Sequence, residues 1–315
     1  MTNSIESKTA NEVICATLSD AVKTTPDLVV LTSDSRGSAG MTSFISDNPA
    51  NSIETGIAEQ NLVTVAAGLA HAHKRPFVFS PAAFLTMRSV EQVKVDVAYS
   101  KTNVKLIGIS GGNSYSNLGT THHSLQDLAI TCAIPNLEVY TPADQFETRA
   151  LLNYLIHSKK PAYVRVGKRK LDNCYPKDWS TFVPGKANIL RNGADICLIS
   201  AGETLFPTLQ AASILATKGI EATVVDLVSI KPLDTELLHK LAQKFNLILS
   251  VEEHSIINGI GAQIATIIAQ HAHAKLKILG FPDEPAISGT QDEVFAYYGL
   301  DAESIAQKAI LSLKG

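Results

Sequence analysis

The stretch Glu54-Thr55-Gly56-Ile57-Ala58-Glu59-Gln60-Asn61 puts a carboxylate at the point where an apolar helix is predicted to begin. From Ile57 onward, apolar and small residues recur at helical spacing, and Gly56 supplies a flexible turn before them. Glu59 is therefore expected at a buried helix entry. A buried carboxyl group keeps its proton unless a partner takes it, so Glu59 suits proton exchange with a bound ring nitrogen. The alternative is an acid favoured only by the helix dipole.

An apolar strand and an aromatic ring follow in Phe77-Val78-Phe79-Ser80-Pro81-Ala82-Ala83-Phe84-Leu85-Thr86-Met87-Arg88. The run Gly56-Ile57-Ala58-Glu59-Gln60, followed by Phe84, resembles the pyrimidine-binding domain of thiamine-diphosphate enzymes, specifically transketolase and 1-deoxyxylulose-5-phosphate synthase. This resemblance covers almost the whole chain. It implies that thiamine diphosphate is the cofactor and that Glu59, Phe84 and Arg88 contact it. Arg88 could equally be a surface residue on an exposed turn.

Length and composition narrow the class of protein. With 315 residues, the chain is longer than a domain with a single hydrophobic core usually is. Its net charge of -3 gives no electrostatic indication of binding to nucleic acid or to an anionic membrane. No apolar run approaches the roughly 20 residues of a membrane helix, and the polar residues 1–10 do not resemble a secretory signal. The four scattered cysteines favour a reducing cytoplasm.

The first half of the chain alternates strands and helices, which is typical of a parallel α/β sheet. Strands are predicted at residues 28–31, 77–79, 104–109 and 161–166. Helices are predicted at residues 13–24 and 89–100; a further helix begins at residue 57, and the last one ends near residue 157. The last helix is expected to begin at Thr141-Pro142-Ala143-Asp144, with a threonine cap and a proline at the first helical position.

A second α/β pattern follows residues 171–186, which read as a linker because they lack periodicity. Its predicted strands are 196–200, 222–226, 247–251 and 277–280, and its predicted helices are 205–218, 234–244 and 262–270. We therefore predict two α/β domains, 1–175 and 187–315, each a mostly parallel sheet flanked by helices. By resemblance they are the pyrimidine-binding and transketolase C-terminal folds. Gly259-Ile260-Gly261 lacks the third glycine of a dinucleotide fingerprint, so close helix packing explains it better.

Polar loops follow the predicted strands, at the sheet edge where open α/β folds place their sites. In the loop of residues 32–38, Asp34 and Ser38 align with an acid and a serine that lie near cofactor and substrate in transketolases. The structural alternative for both is loop capping.

A glycine-containing loop ends in Thr120-Thr121-His122-His123, which resembles the family's Gly-x-Thr-His loop. The resemblance implies that His122 touches the sugar and moves protons on its oxygens, as a group titrating near neutral pH can. A lone histidine is more often structural. The transketolase loop also carries an aspartate and an upstream histidine where this chain has Leu118 and Ser110, so the donor's hydroxyl groups would be selected differently.

Arg165 matches, by resemblance, an arginine that holds a sugar phosphate, a task that suits its bidentate fork. The basic run Lys168-Arg169-Lys170 follows it. We interpret these lysines as a solvated linker face.

No glycine-led turn with acidic and amide ligands, which the family uses to hold the diphosphate through a metal, occurs in this sequence. The resemblance therefore implies one half of a split transketolase in an α2β2 assembly. The partner would be an N-terminal transketolase subunit that supplies the diphosphate site and the Mg2+ ligands, so no metal ligand is expected here. Sugar phosphates would be the substrates.

The implied reaction moves a two-carbon ketol unit from a ketose to an aldose, with Glu59 on the cofactor's pyrimidine nitrogen. Two alternatives stay open. One is the beta subunit of a 2-oxo acid dehydrogenase, although the histidine loop and Arg165 favour sugars. The other is a non-catalytic assembly subunit, against which the retention of Glu59, Phe84 and His122 argues.

Overall fold

The computed structural model describes residues 6–271 and 273–314, and the outermost ends of the two predicted domains lie outside these residues. Its first half forms one α/β unit because its strands are apolar runs that can be buried on both faces of a sheet. The strands are β1 (Leu28–Thr32), β2 (Ser52–Glu54), β3 (Arg75–Pro81), β4 (Lys105–Ile109), β5 (Glu138–Tyr140) and β6 (Ala162–Arg165); the helices are α1 (Ala10–Ala21), α2 (Thr42–Asp47), α3 (Glu59–His71), α4 (Val90–Gln92), α5 (Asp127–Ala133) and α6 (Gln145–His157).

The second half repeats this alternation and forms the second unit. Its strands are β7 (Asn188–Arg191), β8 (Ile196–Ser200), β9 (Ala222–Asp226), β10 (Ser229–Lys231), β11 (Leu247–Ser255) and β12 (Lys275–Phe281); its helices are α7 (Leu205–Ala216), α8 (Thr235–Lys244), α9 (Ile260–His271), α10 (Gln291–Tyr298) and α11 (Ala302–Lys314). None of the helices in the described residues is long and apolar enough to cross a membrane.

Within the described residues the two sheets have the orders β10-β5-β6-β4-β3-β1-β2 and β12-β11-β8-β9-β7. All strand pairs are parallel except β10 with β5 and β7 with β9. The predicted fold class, two mostly parallel sheets flanked by helices, is therefore confirmed. Strand β10 belongs to the second half of the chain but extends the first sheet, which fastens the two units together. The domain limits at residues 175 and 187 stay a prediction.

Three local predictions were wrong. Helix α3 begins at Glu59 rather than at Ile57, which is 71% exposed. Helix α6 is capped by Asp144, whose carboxylate accepts from the amides of Phe146 and Glu147 at 2.9 Å, so Thr141 and Pro142 precede the helix. The predicted helix of residues 89–100 is a short α-helical turn between two π-helical segments, Phe84–Arg88 and Val93–Tyr99.

The interpretation of Gly259-Ile260-Gly261 as a packing feature agrees with the contacts. A Cβ on Gly261 would lie 2.6 Å from Cγ2 of Ile278, so only glycine lets α9 approach the sheet this closely. The amide N–H groups of Ile260 and Gly261 both donate to the carboxylate of Glu252. The anion-binding end of α9 is thus already satisfied by a side chain of the protein.

Two buried carboxyl groups meet between the units. Glu147 on α6 and Asp226 at the end of β9 are fully buried and within hydrogen-bonding reach, and Asp144 adds further negative charge. The facing oxygens, Glu147 Oε1 and Asp226 Oδ1, have no other donor in the described part of the chain. Burial raises the pKa of Asp226 to about 6 and the pKa of Glu147 well above its usual value. One shared proton therefore satisfies the pair.

Because Glu147 and Asp226 share a proton in the folded chain, we expect the protein to lose stability as the pH rises. Both groups ionise at about pH 4 in the unfolded chain, whereas the folded chain keeps the shared proton to higher pH. The folded state then binds more protons than the unfolded state, so the free energy of unfolding falls as the pH rises above about 4 and through the pKa of about 6 of Asp226. We expect Asp226→Asn to make this fall shallower in thermal melts. The control is Asp283→Asn at an exposed site; equal pH slopes in both variants would contradict the shared proton.

Candidate active site

The catalytic candidate Glu59 owes its position to a tight turn. Strand β2 ends at Glu54, and Gly56 has a φ of +69°, a left-handed conformation that glycine adopts without strain. The turn lets α3 start at Glu59, whose side chain is only 2% exposed. The predicted burial of this carboxylate at a helix entry is thus observed.

Glu54 was not among the predicted site residues, yet its carboxylate holds the turn together. Its carboxylate accepts from Thr32 Oγ1 at 2.7 Å, from the amide of Asp34 at 2.6 Å and from the amide of Gly56 at 2.9 Å. Burial favours its neutral form, but these hydrogen bonds outweigh burial and hold the pKa of Glu54 below its usual value. Glu54 therefore ties the loop after β1 to the turn before Glu59.

The wide turn of the first π-helical segment brings Phe84 and Arg88 to the same face as Glu59. Arg88 Nη1 lies 2.7 Å from Glu59 Oε2, and the guanidinium carbon lies 4.4 Å from the centre of the Phe84 ring. Such π-helical turns often occur at functional sites. The structure thus brings together Glu59, Phe84 and Arg88, three of the four residues that were predicted to bind the cofactor.

The paired histidines separate into two environments. His122 makes an edge-on contact with Phe84 at 5.2 Å between ring centres and with Tyr115 at 5.7 Å, and its Nδ1 lies 3.0 Å from Thr121 Oγ1. His123 is buried, its Nε2 lies 3.2 Å from the carbonyl oxygen of Ser116, and burial lowers its pKa. His122 therefore belongs to the candidate site, and His123 supports the loop.

Arg165 lies beneath this loop, buried between the two units. Its guanidinium donates to the carbonyl oxygen of Glu253 and pairs with the carboxylates of Glu253 at 3.4 Å and Asp127 at 3.7 Å. Burial opposes its charge, but these carboxylates raise the pKa of Arg165 above its usual value. A Cβ on Gly112 would lie 2.0 Å from Arg165 Nη2, so the loop packs directly on the guanidinium. This geometry favours a structural role, and phosphate binding by Arg165 stays a prediction.

A different cation, Lys168, contacts the ring of Tyr115, a neighbour of His122. The side chain of Lys168 is exposed, and its Nζ lies 5.2 Å from the centre of the Tyr115 ring, which itself contacts His122. Lys168 was predicted to lie on a solvated linker face. Its position just after the end of β6, at the functional edge of the sheet, was the signal that could have identified it.

The two remaining candidates lie on the loop after β1. Asp34 is exposed with a φ of +53°, and its amide is held by Glu54. Ser38 donates from its hydroxyl to the carbonyl oxygen of Ser35 at 3.1 Å, a local loop contact. Neither side chain contacts Glu59 or His122 among the described interactions, so their predicted roles near cofactor and substrate stay predictions.

The observed cluster fits an aminopyrimidine ring, because a buried carboxylate stands next to an aromatic face and a second aromatic side chain borders it. Among the described residues, the cluster contains no set of metal-ligating side chains through which a diphosphate could be held. In residues 6–271 and 273–314, no group of three or more His, Cys, Asp and Glu side chains is arranged to hold a metal.

Comparisons with known proteins agree with this arrangement. The model of the transketolase pyrimidine-binding domain matches residues 7–173, and the model of the transketolase C-terminal domain matches residues 185–305. A protein of Phocaeicola vulgatus, named as one of the subunits of an apulose-4-phosphate transketolase, is 44% identical over 95% of both chains. A 6-deoxy-6-sulfo-D-fructose transketolase subunit of Clostridium sp. is 32% identical over 90% of this chain and 87% of its own.

A solved structure described as a split gene transketolase, inactive beta4 tetramer, is 31% identical, covers 97% of this chain and 98% of its own, and superimposes with a TM-score of 0.88. Transketolase from Pichia stipitis, at 19% identity and a TM-score of 0.81, shares the fold over 47% of its length. The chain therefore belongs to the transketolase family, as the pyrimidine-binding and C-terminal half of a split transketolase.

Proposed function

We propose that this chain, joined to an N-terminal transketolase subunit, transfers a two-carbon ketol unit from a ketose phosphate to an aldose in a reaction dependent on thiamine diphosphate. The observation that carries the proposal is the cluster of buried Glu59 with Phe84 and His122. The family implies the cofactor, which supplies the carbon nucleophile when bound. Glu59 would then hold a proton on the pyrimidine nitrogen, and Phe84 would pack against that ring.

His122 is suited to the substrate end of the site. Its edge contacts with Phe84 and Tyr115 fix the ring plane, while the hydroxyl of Thr121 occupies Nδ1. This leaves Nε2 for the oxygens of the sugar, to which an imidazole nitrogen can give or from which it can take a proton.

The N-terminal subunit would cover the face beside this cluster. Exposed apolar side chains occur on the turn before α3, on the two π-helical segments and on α4 between them: Ile57, Met87, Val90, Val95 and Tyr99. Apolar side chains grouped around a polar site are typical of an interface between subunits. We propose that the partner docks on this face and contributes the diphosphate site and the Mg2+ ligands in an α2β2 assembly. The cytoplasmic location stays a prediction.

The relatives support a phosphorylated donor. Two relatives named as subunits of apulose-4-phosphate transketolases are 44% and 40% identical to this chain over more than nine tenths of its length. We therefore propose a ketose phosphate as donor, with apulose 4-phosphate as the first compound to assay. We propose exposed Lys168 as the phosphate contact, because its Nζ lies over the ring of Tyr115, which in turn contacts His122.

Dependence on the partner is the first test. Because no group of three or more His, Cys, Asp and Glu side chains in the described residues is arranged to hold a metal, we expect the isolated chain to show no binding of thiamine diphosphate in calorimetry and no ketol transfer. Adding the N-terminal subunit should restore both. Tyr99→Asp, which puts a charge on the apolar face, should weaken assembly in sedimentation experiments, whereas Tyr297→Asp at another exposed position should not. Activity of the isolated chain would refute the proposal.

A further inference from the structure

Arg88 occupies both surfaces that the cofactor's ring would need. Its guanidinium is 2.7 Å from the carboxylate of Glu59 and lies over the ring of Phe84, with 4.4 Å between the guanidinium carbon and the ring centre. A planar aromatic ring that stacks on Phe84 and meets Glu59 through a ring nitrogen would require the same space. The guanidinium, itself planar and positively charged, is a stand-in for such a ring.

The two members of this ion pair differ in their access to water. The side chain of Arg88 is 45% exposed, whereas that of Glu59 is 2% exposed. A half-exposed arginine can leave the pair and be hydrated at little cost. The carboxylate cannot leave, and an unpaired buried charge is expensive, so Glu59 must gain a proton when Arg88 departs.

Two other charged groups on elements that pack against α3 are engaged elsewhere. Arg75 on β3 pairs with Asp27 at 2.7 Å, and Asp96 on the second π-helical segment accepts from Thr64 at 2.8 Å. His122 lies on Phe84, 5.2 Å from its ring centre. Among the described interactions, Arg88 is therefore the charged partner of Glu59.

We propose that Arg88 is a displaceable counter-ion, which keeps Glu59 ionised until the cofactor's ring takes its place, so that ring entry and proton uptake by Glu59 are one event. The proposal rests on the proposed function. One proton moves from solvent to the Glu59 carboxylate and is then shared with the ring nitrogen. Arg88 keeps its own charge throughout and turns toward solvent or the docked partner. No covalent bond to carbon forms or breaks in this step.

This role differs from the contact that the sequence predicted for Arg88. If Arg88 held the cofactor, its removal would weaken binding. If Arg88 must first be displaced, its removal should strengthen binding and remove the accompanying proton uptake, because Glu59 would already be protonated in the free enzyme. The two roles therefore predict changes of opposite sign.

The test is calorimetric titration of the assembled two-subunit enzyme with thiamine diphosphate at about pH 7.5, in buffers of different ionisation enthalpy. We expect the wild-type enzyme to take up close to one proton per site at this pH. Arg88→Met keeps an apolar contact with Phe84 and should bind about tenfold tighter, with little proton uptake. Arg88→Lys should restore the uptake, and Glu59→Gln should show none. Arg149→Met, at an exposed arginine on α6, is the charge-matched control and should behave as wild type.

The possible results distinguish a failure of this inference from a failure of the proposed function. Binding without proton uptake in the wild-type enzyme would overturn this inference while leaving the proposed function intact. Weaker binding by Arg88→Met with unchanged uptake would do the same and make Arg88 an ordinary cofactor contact. Absence of binding by the assembled wild-type enzyme would instead overturn the proposed function.

Discussion

Glu59→Gln should slow hydrogen-deuterium exchange at the thiazolium carbon of the bound cofactor by a factor on the order of 100 or more. Glutamine keeps the size of the side chain and can still form hydrogen bonds at the start of α3. It cannot hold or release the proton that the pyrimidine nitrogen needs. Because Glu59 is 2% exposed, water cannot easily replace its carboxylate.

The exchange is measured by quenched-flow NMR on the assembled complex with saturating cofactor. Glu221→Gln is the matched control, since Glu221 pairs with Arg191 on the far unit and lies outside the site. Its exchange rate should equal that of the wild-type enzyme. An unchanged rate in Glu59→Gln would mean that another group activates the cofactor, and the interpretation of the whole cluster would have to change.

The second large effect concerns phosphate recognition, for which we expect different results when Lys168 and Arg165 are replaced. Lys168→Met should lower kcat/KM for a phosphorylated ketose by about 10- to 150-fold, the usual cost of one charge-assisted contact. The unphosphorylated analogue never made that contact and should hardly change. The melting temperature should also stay constant, because Lys168 is exposed and its contact within the described part of the chain is with the ring of Tyr115.

Arg165→Met should behave differently. The change leaves the buried carboxylates of Asp127 and Glu253 without their counter-charge, which costs about 3 to 5 kcal/mol of stability. We expect a melting temperature lower by several degrees and an equal loss of activity on both substrates. Steady-state kinetics with matched phosphorylated and unphosphorylated donors decides between the cations. A loss confined to the phosphorylated donor in Arg165→Met would restore the original prediction for Arg165 and exclude Lys168.

Residue order was enough to establish the fold class and the position of Glu59. Periodicity along the chain is a local property, so the buried strands and the helix that follows Gly56 could be read directly from residue types. Resemblance then supplied Phe84, Arg88 and His122, and the structure brings their side chains together with Glu59.

Short elements escaped the sequence analysis because they have too few residues to show a period. Strand β10 is three residues long, and only its pairing with β5 reveals that it joins the first sheet. The start of α6 was misplaced for a related reason. Asp144 competes with Thr141 as a cap, and its hydrogen bonds to the amides of the linker, at Cys174 and Tyr175, exist only in the folded chain.

The pairing of charges emerged only from the packing of the folded chain. Arg165 is suited to binding phosphate by its chemistry, but burial between two carboxylates commits it to the junction of the two units. Lys168, three residues later, remains exposed beside the aromatic contacts of His122. Arg88 is paired with Glu59 at 2.7 Å, a contact that its residue type alone does not reveal. Pairing and burial depend on which elements pack together, and residue type fixes only the charge that each side chain brings to that packing.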